Sequence, residues 1–174
     1  MNIKNILEVN NKTGVFLQNL PRVALSPIPL LVIQPILKHI SGFIIKKHPD
    51  IFSRLGVHTN SVFVINPSNT PFVLRLVPDS KGISLTAHRR NEGIEYDAKI
   101  TGTFLTLLKM IDGGLDGDAL FFTRDLKLEG NTEAIVCLRN AMDDLEGSVV
   151  DDIVDACGPF SRPLNRALEI LRGE

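Results

Sequence analysis

The chain has no tryptophan and a single tyrosine, so its nine phenylalanines supply nearly all of the aromatic bulk. Extended base-stacking platforms of the kind that hold single-stranded nucleic acid are therefore not expected. A formal net charge of −1 also removes any global attraction for a phosphate backbone. Nucleic acid is not an expected partner. Cysteine is scarce as well: Cys137 and Cys157 form no CxxC, and Cys137 falls in an apolar helical pattern where a thiol serves as a small hydrophobe. That usage suits a reducing, cytoplasmic setting.

Several kinds of chemistry are missing from the sequence. His39, His48, His58 and His88 show neither HxxxH nor HxH spacing, so no metal site is expected. There is no P-loop, no GxGxxG fingerprint and no GxSxG elbow, and Ser41-Gly42 lies in a hydrophobic stretch. The loop from Asp112 to Asp118 is rich in Asp and Gly. Counted as a calcium loop, however, it puts Gly114 third, where a side-chain oxygen is required, and Thr123 twelfth, where a bidentate Glu is required. It reads as a solvated turn. The pair Arg89-Arg90 at a strand end could grip a phosphate group or simply form a wet hairpin rim. No catalytic residue and no cofactor is expected.

Long hydrophobic runs are also lacking. The longest charge-free apolar run, Val23 to Leu37, contains three prolines and falls short of the ~20 residues needed to span a bilayer. The polar start MNIKNILEVNNK does not read as a signal peptide. Charge is unevenly spread, with +5 over residues 1–58 and −6 over the remainder, an asymmetry found in interaction tails and membrane-facing ends.

What is present is a clear order of periods. Ile33, Leu37, Ile40 and Ile44 mark one helical face, widened by Ile36 and Phe43, with Lys46, Lys47 and His48 at the end favoured by the helix dipole. Pro35 should start or kink the regular helix. From Ser61 the period becomes two. Strands are expected over Val62–Ile65, Phe72–Val77, Ile83–Ala87 and Tyr96–Thr101, joined by the hairpin-like clusters PSNTP, PDSKG and RRNEG. Phe72, Leu74 and Leu76 face one way and Val73, Arg75 and Val77 the other, so one face is covered and the other partly wet. Phe104, Leu107, Leu108 and Ile111 then form a helical stripe with Thr103 as N-cap. A fifth strand is expected around Arg124–Glu129, and a helix follows with Ile135, Leu138, Met142 and Leu145 on one face. Residues 141–156 hold six acidic and no basic side chains and read as a solvated stretch; a last helix is expected from about Pro163 to Leu171. Strands grouped between helices give an α+β class with helices on one sheet face.

One stretch carries more than periodicity. Ile100-Thr101-Gly102, Phe104–Ile111, the acidic turn Asp116–Asp118, Phe121-Phe122-Thr123-Arg124-Asp125-Leu126 and Gly130-Asn131-Thr132-Glu133 occur in the order seen in the sterol carrier protein 2 (SCP2) family, which this stretch resembles. Asn131 stands where Asp is more usual, and serves equally well as turn residue and cap. The helix text LRNAMDDLE looks most like the UbiT-type branch of bacterial ubiquinone-biosynthesis accessory factors. The resemblance implies an SCP2-like, five-stranded, mainly antiparallel sheet covered on one face by helices that enclose an apolar tunnel. With the Asn-rich, Pro-punctuated start read as an arm (1–27), the chain is expected to hold a lipid-binding domain (28–147) and a helical extension (148–174).

The function implied is non-catalytic lipid binding in oxygen-independent ubiquinone biosynthesis. The implied partners are an isoprenoid quinone precursor or other lipid and the enzymes of that pathway. Candidate lining residues are Phe63, Ile65, Phe72, Leu74, Leu76, Phe104, Leu108, Phe122, Leu138 and Met142. Lys38, Phe43, Lys46 and Lys47 are candidates for contact with an anionic membrane, which would make a cytoplasmic protein peripheral on the inner membrane. The alternatives are a general sterol, fatty-acyl or phospholipid carrier, a non-binding scaffold with a solid core, and a small acyl hydrolase, which would need a polar constellation facing the cavity.

Overall fold

The computed structural model describes residues 30–49, 53–79, 82–111, 125–143 and 149–156. In chain order these form α1 (Leu30–Lys47), a short 3-10 segment (Ser53–His58), β1 (Phe63–Pro67), β2 (Phe72–Asp79), β3 (Gly82–Arg89), β4 (Ala98–Gly102), α2 (Phe104–Ile111), β5 (Lys127–Gly130), α3 (Thr132–Asp143) and α4 (Val149–Ala156). The class is α+β, with several helices on one face of a five-stranded mixed sheet. The predicted helix at Pro163–Leu171 and the acidic turn at 112–118 lie outside the described residues.

The sheet runs β3-β2-β1-β4-β5. Two hairpins build its first half, with Phe63 opposite Leu76 and Leu74 opposite Ala87. The next connection departs from the expected hairpin. After β3 the chain crosses back over β2 and β1, and β4 pairs parallel to β1 with Phe63 beside Ala98 and Ile65 beside Ile100. Strand periodicity and loop length constrain only local geometry, so they could not tell this parallel insertion from another antiparallel turn. The crossover, residues 90–97, lies on the face away from the helices. Its start is pinned by Arg90, which donates to Asn66 Oδ1 at 2.6 Å, to the Thr70 carbonyl at 2.8 Å and to the Pro67 carbonyl.

Alternation then decides which side chains meet the helices. Phe63 and Ile65 on β1, Phe72, Leu74 and Leu76 on β2, Leu85 and Ala87 on β3 and Ile100 on β4 share the inner face. The predicted α1 face is the buried one: Ile33, Leu37, Ile40 and Ile44 are all buried. Ile33 and Leu37 pack with Phe72, Leu74, Leu85 and Ala87, and farther along the helix Ile45 closes on Gly82. Gln34 receives the Ala87 amide and donates to its carbonyl at 2.7 Å, satisfying backbone groups on the outer edge of β3. Ile36 does not widen this face; on the flank of the helix it is nearly half exposed. Pro35 neither starts nor ends α1 but lies within it.

The main core joins Leu55, Phe63, Ala98, Ile100 and Leu107 to Ala134, Ile135, Leu138 and Ala141 of α3. Both predicted caps form. Thr103 Oγ1 accepts the Thr106 N–H at 3.1 Å, and Asn131 Oδ1 accepts the Ala134 N–H at 3.1 Å. Each satisfies a backbone donor that the first helical turn leaves open.

The reading of residues 141–156 as a solvated stretch needs correction. Residues 149–156 form α4, and Asp152 is only 4% exposed. Asp151 and Asp155 sit one turn apart on the wet side, while Val154 and Ala156 are buried. Counting charges over the whole segment hid this period of 3.6.

Candidate functional site

The expected lining residues fall into two sets. Phe63, Phe72 and Leu138 are buried in the core, whereas Ile65, Leu74, Leu76, Phe104, Leu108 and Met142 are only partly buried. Phe122 lies outside the described residues. The second set is the informative one. Ile65 belongs to the central strand and Leu74 and Leu76 to its neighbour, on the face that the helices cover. A side chain there is ordinarily sealed, so partial exposure means that these positions of the inner sheet face are not fully covered. Ile45, Ile83, Leu126 and Leu128 add to this partly covered apolar surface. Alternation along β3 puts Ile83 on the same side as Leu85, but alternation does not distinguish sealed from accessible carbon.

One side of this region is closed by α4. Ile40, Ile44 and Ala156 cluster with Phe43, Ile111, Met142 and Ile153, and Val154 packs on Leu108 and Ile111. Asp152 ties α4 to the end of α1, accepting hydrogen bonds from Lys47 and from His48 at 2.7 Å. Burial pushes the Asp152 carboxyl up, but the hydrogen bonds and charges of Lys47 and His48 outweigh it and hold the group below the usual carboxylate range. Sequence spacing gave no sign of this contact, which joins residues more than a hundred positions apart.

The basic end of α1 is therefore divided. Lys38 and Lys46 are exposed, Lys47 is engaged by Asp152, and Phe43 is drawn into the contact with α4. Among the described residues, Leu31, at 84%, and Ile36 are exposed apolar groups of α1. Among the described residues no helix is long and apolar enough to cross a membrane.

Polar clefts lie away from the apolar face. A broad groove of about 500 Å³ is lined by His58, Asn60, Ser61, Asp97 and Asn131. His58 is buried, and its Nε2 lacks a hydrogen-bond partner, standing 3.9 Å from Glu133 Oε1. Asp97 already accepts the Val62 N–H at 2.7 Å, which makes it a staple for the start of β1. These contacts position strands and supply no nucleophile–base pair. Among the described residues no three His, Cys, Asp or Glu side chains converge as a metal site requires.

Comparison with known proteins bears on the same region. The profile of the SCP-2 sterol transfer family matches residues 49–143, more than half of the chain. A solved structure titled UbiJ-SCP2 ubiquinone synthesis protein superposes with a TM-score of 0.50 at 17% identity, covering 67% of this chain and 90% of its own. The inverting sec-alkylsulfatase Pisa1 of a Pseudomonas species gives 0.45 at 14% identity, over 55% of this chain and 14% of its own. Apo sterol carrier protein 2 from Yarrowia lipolytica gives 0.44 at 15% identity, over 62% and 86%. No curated protein matches the chain.

Proposed function

The chain belongs to the SCP-2 sterol transfer family, and from that premise we propose that it is a non-catalytic carrier that takes the apolar part of a lipid between its inner sheet face and its helices. The observation that carries this reading is the partial exposure of Ile65, Leu74 and Leu76 on the two strands at the middle of the helix-covered face. Exposed hydrocarbon costs roughly 25 cal/mol per Å² in water, on the protein and on the lipid alike. A lipid chain laid along this surface relieves both costs at once. The enclosed tunnel is part of the proposal: α1, α2 and α4 close around the chain once it is bound.

We further propose a polyprenylated quinone precursor as the ligand and an accessory role in ubiquinone biosynthesis, beside the enzymes that modify its ring. The UbiT-like helix text and the likeness to a ubiquinone synthesis protein support this choice, the second as a matter of fold. The rival is a general carrier of sterols, fatty acyl chains or phospholipids. Lipid extraction and native mass spectrometry of the purified chain test the broad reading. A short-chain ubiquinone and a fluorescent fatty acid, in competition, separate the two ligands. Leu74→Trp, which fills the accessible surface, should weaken either ligand while circular dichroism stays unchanged. A protein that co-purifies with no lipid and binds neither probe would be a scaffold.

A second reading concerns delivery. The outer side of α1 carries Leu31 and Ile36 with Lys38 and Lys46, a combination suited to the surface of an anionic bilayer. We propose that the protein is cytoplasmic and docks peripherally on the inner membrane through this side. Flotation with phosphatidylglycerol liposomes tests it: the double variant Lys38→Gln/Lys46→Gln should stay behind, and unchanged flotation would refute the role.

A further inference from the structure

The face of the sheet away from the helices carries a second cleft, of about 290 Å³, roofed by the crossover between β3 and β4. Its floor is Val64 and Val73, only 4% and 7% exposed although they face away from the main core. Ile94, half-buried, and Tyr96 come from the crossover itself. Beside this apolar floor stand fixed cations. Lys99 is the parallel partner of Val64 on β4 and Arg75 its antiparallel partner on β2, so the valine lies in a row between two basic residues. The Lys99 ammonium sits 5.3 Å from the centroid of the Tyr96 ring, and Arg90 is held rigidly by its bonds to β1 and the following turn.

The residues lining the cleft include Arg89, Arg90 and Lys99 and no carboxylate. Of the acids on the surrounding elements, Glu129, Glu92 and Asp97 are engaged, while Glu95 of the crossover is exposed and does not line the cleft. Glu129 is shared between Lys99, at 3.5 Å, and Lys127, at 3.1 Å, and Glu92 accepts from the Arg89 amide and pairs with His88. We infer that this cleft is a binding site for a small soluble amphipathic monoanion, a carboxylate on a flat apolar body about the size of a substituted benzoate. The apolar body lies against Ile94 and beside Tyr96, above the nearly sealed floor of Val64 and Val73, while the carboxylate takes up the Lys99 ammonium. Because Lys99 also serves Glu129, a single added charge suits the site better than a dianion. The site is independent of the lipid surface, which lies across the sheet.

Methyl-labelled full-length protein tests this by NMR. Benzoate should saturably shift the methyls of Val64, Val73 and Ile94 and leave those of Leu74, Leu76 and Ile100 in place. Benzyl alcohol, which keeps the ring but not the charge, and inorganic phosphate, which keeps the charge but not the ring, should each bind at least about tenfold more weakly. Lys99→Gln should weaken benzoate by a similar factor, and Lys99→Arg should restore most of it. The inference is overturned if benzoate gives no saturable shift up to about 10 mM, or if benzyl alcohol or phosphate binds as well. It also fails if Lys99→Gln binds unchanged, if only phosphatidylglycerol vesicles move these methyls, or if the shifts fall on the helix-covered face.

Discussion

Gly130→Ala should be among the most damaging single-methyl changes in this chain. Gly130 ends β5 with φ +82°, and a Cβ there would stand 2.2 Å from the Asp97 carbonyl oxygen and 3.3 Å from the Ala98 Cα. The left-handed conformation alone costs a non-glycine residue roughly 1–2 kcal/mol. Relieving the clash means moving backbone, at roughly 1–3 kcal/mol for an overpacked site. The same carbonyl accepts the Asn131 N–H at 2.8 Å, and losing that bond adds about 1 kcal/mol. The sum is about 3–6 kcal/mol, a large share of the 5–15 kcal/mol that holds a typical domain together. Gly93→Ala supplies the comparison, because Gly93 has φ +60° but nothing within 4 Å of its added Cβ. It should lose only the conformational part, about 1–2 kcal/mol. Urea denaturation of both variants measures the difference, and hydrogen exchange at the Asn131 amide should accelerate in Gly130→Ala alone. Equal losses in the two variants would refute the argument that the Asp97 carbonyl fixes this turn.

The tie between α4 and α1 predicts a pH dependence. With the Asp152 carboxyl held low in the folded chain, its contribution is complete above its unfolded value of about 4 and is lost as pH falls through the lower folded one. Asp152→Asn should therefore cost about 1–3 kcal/mol at neutral pH, with the figure reduced because Lys47 is 46% exposed. In urea melts the gap between mutant and wild type should close once the pH is well below 4; a constant gap would mean that the carboxylate charge is not what holds α4. Truncations on the inner face should also separate sealed from accessible carbon. Phe63→Ala, at a fully buried site, should cost about 3–5 kcal/mol. Leu76→Ala should cost under about 2 kcal/mol and show more in lipid binding than in the melt.

Much of the fold is legible in the sequence because it depends on local period. The α1 stripe, the alternation of β2, the apolar stripe of α2 and the caps at Thr103 and Asn131 all follow from neighbours within a turn or two. The SCP2 resemblance is carried by the stretch from Ile100 onward, and the family profile matches residues 49–143; the UbiT branch is a proposal. Ile36, the parallel placement of β4 and α4 were not legible. Ile36 misled because a helix face about 100° wide cannot be bounded from sequence. The insertion of β4 beside β1 depends on hydrogen bonds to a strand more than thirty residues earlier.

The sequence by itself determined the class and the inner face of the sheet, since periodicity acts residue by residue. Only the tertiary structure decided which inward carbons are sealed and which stay within reach of a ligand. It alone brought Asp152 to Lys47 and His48, and laid the crossover on the far face to make a second cleft. Burial and long-range pairing are properties of the assembled layers: the same alternating leucines could sit under a closed helix or an open one.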